Sequence, residues 1–205
     1  MNNFLDQWNM LVGEIHLRSY KKNDVIFRQG ESGKGFYYVE EGMVIVKLLT
    51  DHGEERIIDF VLPGELFGET GIRGNSYLTT AVAGECAAVY FFSNECFDRI
   101  CSADHSISDI VMNSLINKIR LLAESVSILD SSVEKQTAHF LLKLFQKMRT
   151  GNLPITQTSL AHYIGTSRIT VYKLLQKWNK AGILEVSNRK IHILDPERLQ
   201  NIIKQ

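Results

Sequence analysis

Residues 156–178 read TQTSLAHYIGTSRITVYKLLQKW. Thr156 is a hydroxyl residue ahead of a two-turn helical pattern whose Leu160, Ala161 and Ile164 fall on one side. Gly165 follows. A glycine there supplies the left-handed backbone that lets two helices cross steeply. Thr166 or Ser167 caps a second helix, along which Val171, Leu174, Leu175 and Trp178 form an apolar stripe. Arg168, Ile169, Tyr172, Lys173, Gln176 and Lys177 lie on its other faces. The spacing predicts a helix-turn-helix, whose second helix reads the major groove of double-stranded DNA.

The flanks fit that reading. Ala181-Gly182-Ile183-Leu184-Glu185-Val186, a turn at Ser187-Asn188-Arg189, and Lys190-Ile191-His192-Ile193-Leu194 predict a β-hairpin that would serve as a wing. Asp195-Pro196 opens a last helix ending in Ile202-Ile203. Upstream, Ser131-x-x-Glu134 has the form of a capping box. Behind it Val133, Thr137, Phe140, Leu141, Leu144, Phe145 and Met148 repeat at helical spacing to about Arg149, where Gly151-Asn152-Leu153-Pro154 breaks the run. Charge divides at the same place. Residues 1–130 hold 11 Lys+Arg against 19 Asp+Glu, and residues 131–205 hold 12 against 4, so a net −8 precedes a net +8. A basic last third suits a polyanion partner.

Before it comes a long helix, expected from about His105 to Leu129. Met112, Ile119 and Val126 share one heptad position, and Leu115, Leu122 and Leu129 share the position three residues later. Three heptads of apolar a and d residues predict a seam between two copies of the chain. Ile107, Ile110, Val111, Ile116 and Leu121 widen the apolar face toward its own domain.

The first hundred residues have a different texture. Phe4 to Leu17 is mildly helical. Then short β-rich runs appear at 25–27, 35–39, 43–48, 57–61, 78–83 and 87–92, separated by turn signals such as Glu41-Gly42, Asp51-His52-Gly53, Pro63-Gly64 and Gly84-Glu85. Strands with turns at such intervals predict an antiparallel sandwich or barrel. Ser93 caps a short helix through Ile100, and Asp104 is the expected N-cap of the long one.

Some classes are excluded. Cys86, Cys96 and Cys101 form neither metal spacing nor an even disulfide set, which fits a reducing compartment. Met1-Asn2-Asn3-Phe4 has no signal-peptide character, and no apolar run approaches a membrane span, so a cytoplasmic protein that does not engage membranes is expected. Neither a nucleophile elbow, a metal-ligand helix nor a Walker loop is present, so an enzyme is not expected.

Inside the β-rich region sits Pro63-Gly64-Glu65-Leu66-Phe67-Gly68-Glu69. With Gly30, Gly42, the two helices after it and the helix-turn-helix, this resembles the cyclic-AMP receptor/FNR (Crp/Fnr) family of bacterial transcription regulators, over nearly the whole chain and in order. The resemblance implies an α+β architecture: a cyclic-nucleotide-binding-type β-roll (jelly roll) at 1–104, a dimerisation helix at 105–130, and a winged helix-turn-helix at 131–205. It implies an inverted-repeat operator, a homodimer and RNA polymerase as a partner. In the family the loop at Gly68 cradles a phosphate, and the glutamate matching Glu69 receives a ribose hydroxyl. An Arg-Ser-Ala then places an arginine on the cyclic phosphate. Here that position reads Thr79-Thr80-Ala81, and Ile119-Arg120 stands where the family has an adenine-contacting Thr-Ser. Losing the charge-assisted pair on a buried anion costs several kcal/mol, so cyclic AMP is not expected to bind tightly.

The resemblance leaves three alternatives for the roll. A small effector other than cyclic AMP could sit by Gly68, Glu69, Thr79, Thr80, Ile119 and Arg120, with Phe36, Tyr37, Tyr38, Phe60 and Phe67 lining the pocket or filling it. The pocket could be vestigial and the regulator constitutive. Haem could bind through His16, His52 or His105 in a gas sensor. An FNR-type iron–sulfur cluster needs four thiolates, and the chain has three cysteines. On the reader helix, Arg168 and Lys173 match the family's base- and backbone-contacting positions. Ile169 replaces a glutamate and could touch a thymine methyl. Ser167, Thr170 and Tyr172 would donate to phosphate or sugar, and Thr158 and Lys177 complete the expected contact set.

Overall fold

The computed structural model describes residues 15–187 and 190–204. It divides into two compact units, 1–121 and 122–205. The helical expectation for Phe4–Leu17 and the wing turn at Asn188-Arg189 lie largely or wholly outside the described residues.

The first unit is built from eight strands: β1 (His16–Tyr20), β2 (Val25–Phe27), β3 (Gly35–Glu41), β4 (Val44–Leu49), β5 (Glu55–Val61), β6 (Leu66–Phe67), β7 (Thr80–Ala83) and β8 (Ala87–Ser93). They form two four-stranded antiparallel sheets, ordered β1-β8-β3-β6 and β2-β7-β4-β5. Such interleaving of strands distant in sequence is that of a jelly roll. One end of the expected first helix is corrected. His16 and Leu17 belong to β1, paired with Phe91 and Tyr90 of β8, because an edge partner outweighs weak helical propensity.

β3 decides the layering. Its first five residues are all buried, although a half-exposed strand would alternate. Tyr37 and Val39 enter the interior with Phe27, Val44, Val61, Phe67, Tyr77 and Val89. Phe36 and Tyr38 face the other way, into a second cluster with Phe92, Cys96, Ile100, Ile107 and Val111. That second layer comes from α1 (Asn94–Ala103) and α2 (Ser106–Ser127). Ser93 caps α1 by accepting from the Cys96 N–H, and Asp104 accepts from the Ser106 N–H at the start of α2. Leu129 stands in the turn after α2, two residues past its end.

The second unit contains α3 (Val133–Met148), β9 (Asn152–Leu153), α4 (Gln157–Ile164), α5 (Arg168–Lys180), β10 (Leu184–Ser187), β11 (Lys190–Ile193) and α6 (Pro196–Lys204). The expected capping box is corrected: Ser132, not Ser131, caps α3 by accepting from the Lys135 N–H, and the Glu134 carboxylate points to α5 instead. The wing gains a strand the sequence reading misses. β9 pairs with β11, so the linker read as a helix breaker closes a three-stranded sheet ordered β10-β11-β9.

Candidate nucleic-acid interface and effector site

α4 and α5 have the local chemistry the sequence implies. Thr156 Oγ1 accepts from the Ser159 N–H at 3.0 Å, and Gly165 takes φ 76° at the C-terminus of α4. Ser167 is the cap of α5, accepting from the Thr170 N–H at 3.1 Å. Val171, Leu175 and Trp178 are buried, while Ser167, Arg168, Ile169, Thr170, Tyr172 and Lys173 are exposed. Ile169 is 67% exposed, on the outward side of α5. A cleft of about 450 Å³ brings Thr158 and Arg168 together with Thr156, Gln157 and Val186 of the wing. A groove of about 630 Å³ runs along Tyr172, Lys173, Gln176, Lys177 and Lys180. Gln157 and Lys180 line these depressions beside the expected residues. Lys180 was legible, because it lies seven residues after Lys173 on the same face of the helix.

Lys177 differs from the other expected contacts. Its ammonium pairs with Glu134 of α3, and the same carboxylate accepts from the Trp178 indole. Lys177, and then Trp178, hold the Glu134 carboxyl below the usual carboxylate range, against partial burial, which pushes the other way.

In the first unit Gly68 has φ 79°, and a Cβ there would lie 3.0 Å from the Phe27 ring. This forces a left-handed turn that tucks Glu69 into the protein. Glu69 is buried, and one of its carboxylate oxygens holds both of its side-chain partners. Ser114 Oγ donates to its Oε1 at 2.6 Å, and Lys118 Nζ pairs with the same oxygen while donating to the Leu66 carbonyl at 2.8 Å. Ile119 and Arg120 are exposed on α2, while Ser114 and Lys118 of the same helix bond Glu69 in this loop. Their signal was present in the sequence. The buried positions Ile107 and Val111 continue, at helical spacing, as 114 and 118. Thr79 and Thr80 are half-buried, and Thr80 Oγ1 accepts from the Gln29 N–H. Arg73 is exposed in its loop, its N–H donating to Asn94.

The interior beside this loop is aromatic. Phe27 stacks on Tyr77 at 3.9 Å and on Tyr37 at 5.6 Å, and Tyr37 stacks on Phe67 at 5.0 Å. Burial, then the neighbouring Tyr77, pushes the Tyr37 phenol well above its ordinary range, so it stays neutral. Cys86 is exposed, Cys96 buried and Cys101 half-buried; His16, His52 and His105 are all at the surface. Among the described residues no three His, Cys, Asp or Glu side chains gather as a metal-binding group, and no helix is long and apolar enough to cross a membrane.

Residues 17–104 match the cyclic nucleotide-binding domain, and residues 135–202 match the Crp-like helix-turn-helix domain. The chain is a transcription regulator of the Crp/Fnr family. It is 27% identical to the transcriptional activator protein FnrA of Stutzerimonas stutzeri over 186 residues, 87% of this chain and 76% of that one. It is 26% identical to electron transport regulator A of Shewanella oneidensis over 207 residues, 96% of this chain and 81% of that one. Among solved structures, FixK2 from Bradyrhizobium japonicum superposes with a TM-score of 0.81 at 24% identity, covering 92% of this chain and 96% of that one. The Crp/Fnr family is one of DNA-binding regulators rather than enzymes.

Proposed function

We propose that this Crp/Fnr regulator acts as a cytoplasmic homodimer on an inverted-repeat operator, with α2 as the seam. One observation carries the reading. Met112, Ile119, Leu122 and Val126 are 58, 65, 50 and 64% exposed, forming an apolar row down one face of a 22-residue helix. A soluble protein rarely leaves such a row uncovered, and a second copy supplies an identical row to cover it. Leu129 extends the row just past the helix, while Leu115 is shared with the roll-side cluster. Paired readers then address half-sites about 34 Å apart, one turn of the duplex. Thr158, Ser167, Arg168, Ile169, Thr170, Tyr172 and Lys173 make the contacts, with Ile169 favouring a thymine methyl. RNA polymerase is the partner through which occupancy becomes transcription.

The test combines light scattering with selection of bound duplexes from a random pool. A dimeric mass and a selected inverted repeat are expected. A monomer at working concentration, or selection of a single half-site, would refute the dimeric reading.

A second reading concerns control. One oxygen of the Glu69 carboxylate is held by both Ser114 and Lys118, and the roll beside it is filled with stacked rings. This favours a regulator that binds DNA without a nucleotide over one awaiting a small effector or haem at Gly68, Glu69, Thr79 and Thr80. Purified protein is expected to give no cyclic-AMP heat in calorimetry below millimolar concentration. Its absorption spectrum and native mass would reveal haem or a bound organic molecule.

A further inference from the structure

α3 and α5 meet through one acid. Glu134 accepts from Lys177 Nζ on both carboxylate oxygens, at 2.9 and 3.1 Å, and its Oε1 also accepts from Trp178 Nε1 at 3.1 Å. Trp178 is buried, and an indole N–H can only donate, so Glu134 supplies the acceptor that lets the ring sit there. The carboxylate is therefore pinned by a group that cannot leave.

The geometry of α5 separates its lysines. At about 100° per residue, Lys173, Gln176 and Lys180 lie within about 40° of Ile169. Lys177 lies about 80° round, and Trp178 is opposite. Lys177 thus stands on the shoulder between the outward face and the face toward α3. Moving its ammonium to a DNA phosphate would break two charge-assisted hydrogen bonds and leave the Glu134 charge unscreened beside a polyanion.

We infer that Glu134 is a positioning residue for the reader helix that also withholds Lys177 from DNA, leaving Lys173 and Lys180 as the lysines of α5 that meet phosphate. The inference rests on α5 being the helix that meets DNA. A lysine already neutralised by a carboxylate releases no counterion when DNA binds, so Lys177 adds nothing to the salt dependence of affinity.

The experiment measures full-chain affinity against salt, using the duplex that the wild-type protein selects from a random pool. Lys173→Met is expected to flatten the log–log slope by about 0.9 per reader, about a threefold change between 50 and 200 mM salt. Lys177→Met is expected to keep the wild-type slope. Glu134→Gln, which retains an amide oxygen for Trp178, frees Lys177 and is expected to steepen the slope by about 0.9 per reader. The inference is overturned if Lys177→Met flattens the slope as Lys173→Met does, or if Glu134→Gln leaves it unchanged. Should Glu134→Gln fail to fold, the exposed Lys177→Met decides alone. Wild-type binding without salt dependence would instead remove α5 as the DNA-facing helix, and this inference with it.

Discussion

Lys118→Met is the sharpest probe of how the long helix is held to the roll. The substitution keeps the length and apolar stem of the side chain and removes its charge. It deprives Glu69 of its counter-ion and the Leu66 carbonyl of a donor. The Glu69 side chain is only 3% exposed, so its charge cannot recover hydration, and Ser114 remains as a single donor. Breaking a buried pair from one side costs about 3–5 kcal/mol. Lys118 is 30% exposed, which lets water replace part of its contribution, so about 2–4 kcal/mol is expected for this site. Adding Glu69→Gln removes the stranded charge and leaves an amide that still accepts from Ser114. The double variant should therefore lose only about 1 kcal/mol, and be more stable than Lys118→Met alone. Urea unfolding of the full chain, with hydrogen exchange of β3 and β6 amides to localise the loss, gives the four corners of the cycle. A coupling below about 0.5 kcal/mol would show that the two groups act independently and refute the latch.

Other expectations follow from single observations. Leu122→Arg or Ile119→Glu places charge in the exposed row and should convert a dimer to a monomer in light scattering, with little change in monomer stability; a persistent dimer would move the seam elsewhere. Arg168→Ala should cost about 1–3 kcal/mol of operator affinity and relax one base position, read by repeating the selection; an unchanged preference would leave Arg168 a backbone contact. Gly68→Ala forces a side chain to φ 79° and 3.0 Å from the Phe27 ring, and should destabilise the roll by more than about 1 kcal/mol in urea unfolding. His139 is half-buried on α3, and burial, then Lys143, holds its imidazole below the ordinary 6.5, with Glu124 opposing. A histidine depressed in the folded state favours folding fully above pH 6.5; this contribution is lost as pH falls from there through the folded value. Unfolding midpoints should therefore decline below about pH 6.5, and His139→Gln should flatten the decline.

Local signals account for most of the fold. Gly165, the Thr156 and Ser167 hydroxyls, and the stripe Val171, Leu175, Trp178 each act within one turn of helix, and the structure keeps all of them. The strands of the roll were readable for the same reason, since their turns carry glycines at positive φ such as Gly42 at 80°. What escaped depended on a partner far along the chain. β1 exists because β8 lies beside it, and β9 because β11 does. Neither two residues of β9 nor a weakly helical start could announce a strand without that neighbour. Ser131 and Ser132 illustrate a smaller limit: adjacent serines both fit a cap, and one residue of slip decided whether Glu134 closed a box or reached another helix.

The two charge pairs extend that point from fold to function. Glu69 and Lys118 are 49 residues apart, and Glu134 and Lys177 are 43 apart. In each pair a motif assigns one member a ligand: Glu69 a ribose by resemblance, Lys177 a phosphate by its place on the reader. In each, helix packing supplies an internal partner of opposite charge instead. A motif fixes where a side chain starts, because that depends on local backbone. Whether the group remains available to a ligand depends on what the tertiary fold sets opposite it. An internal partner has the advantage, since its positioning entropy is already met by folding while a ligand's is not. A ligand at Glu69 therefore competes with Lys118 for one carboxylate oxygen, and a phosphate at Lys177 competes with Glu134 for the ammonium. For this reason the salt slope of Glu134→Gln and the coupling of Glu69 to Lys118 discriminate more sharply than removal of any one expected contact.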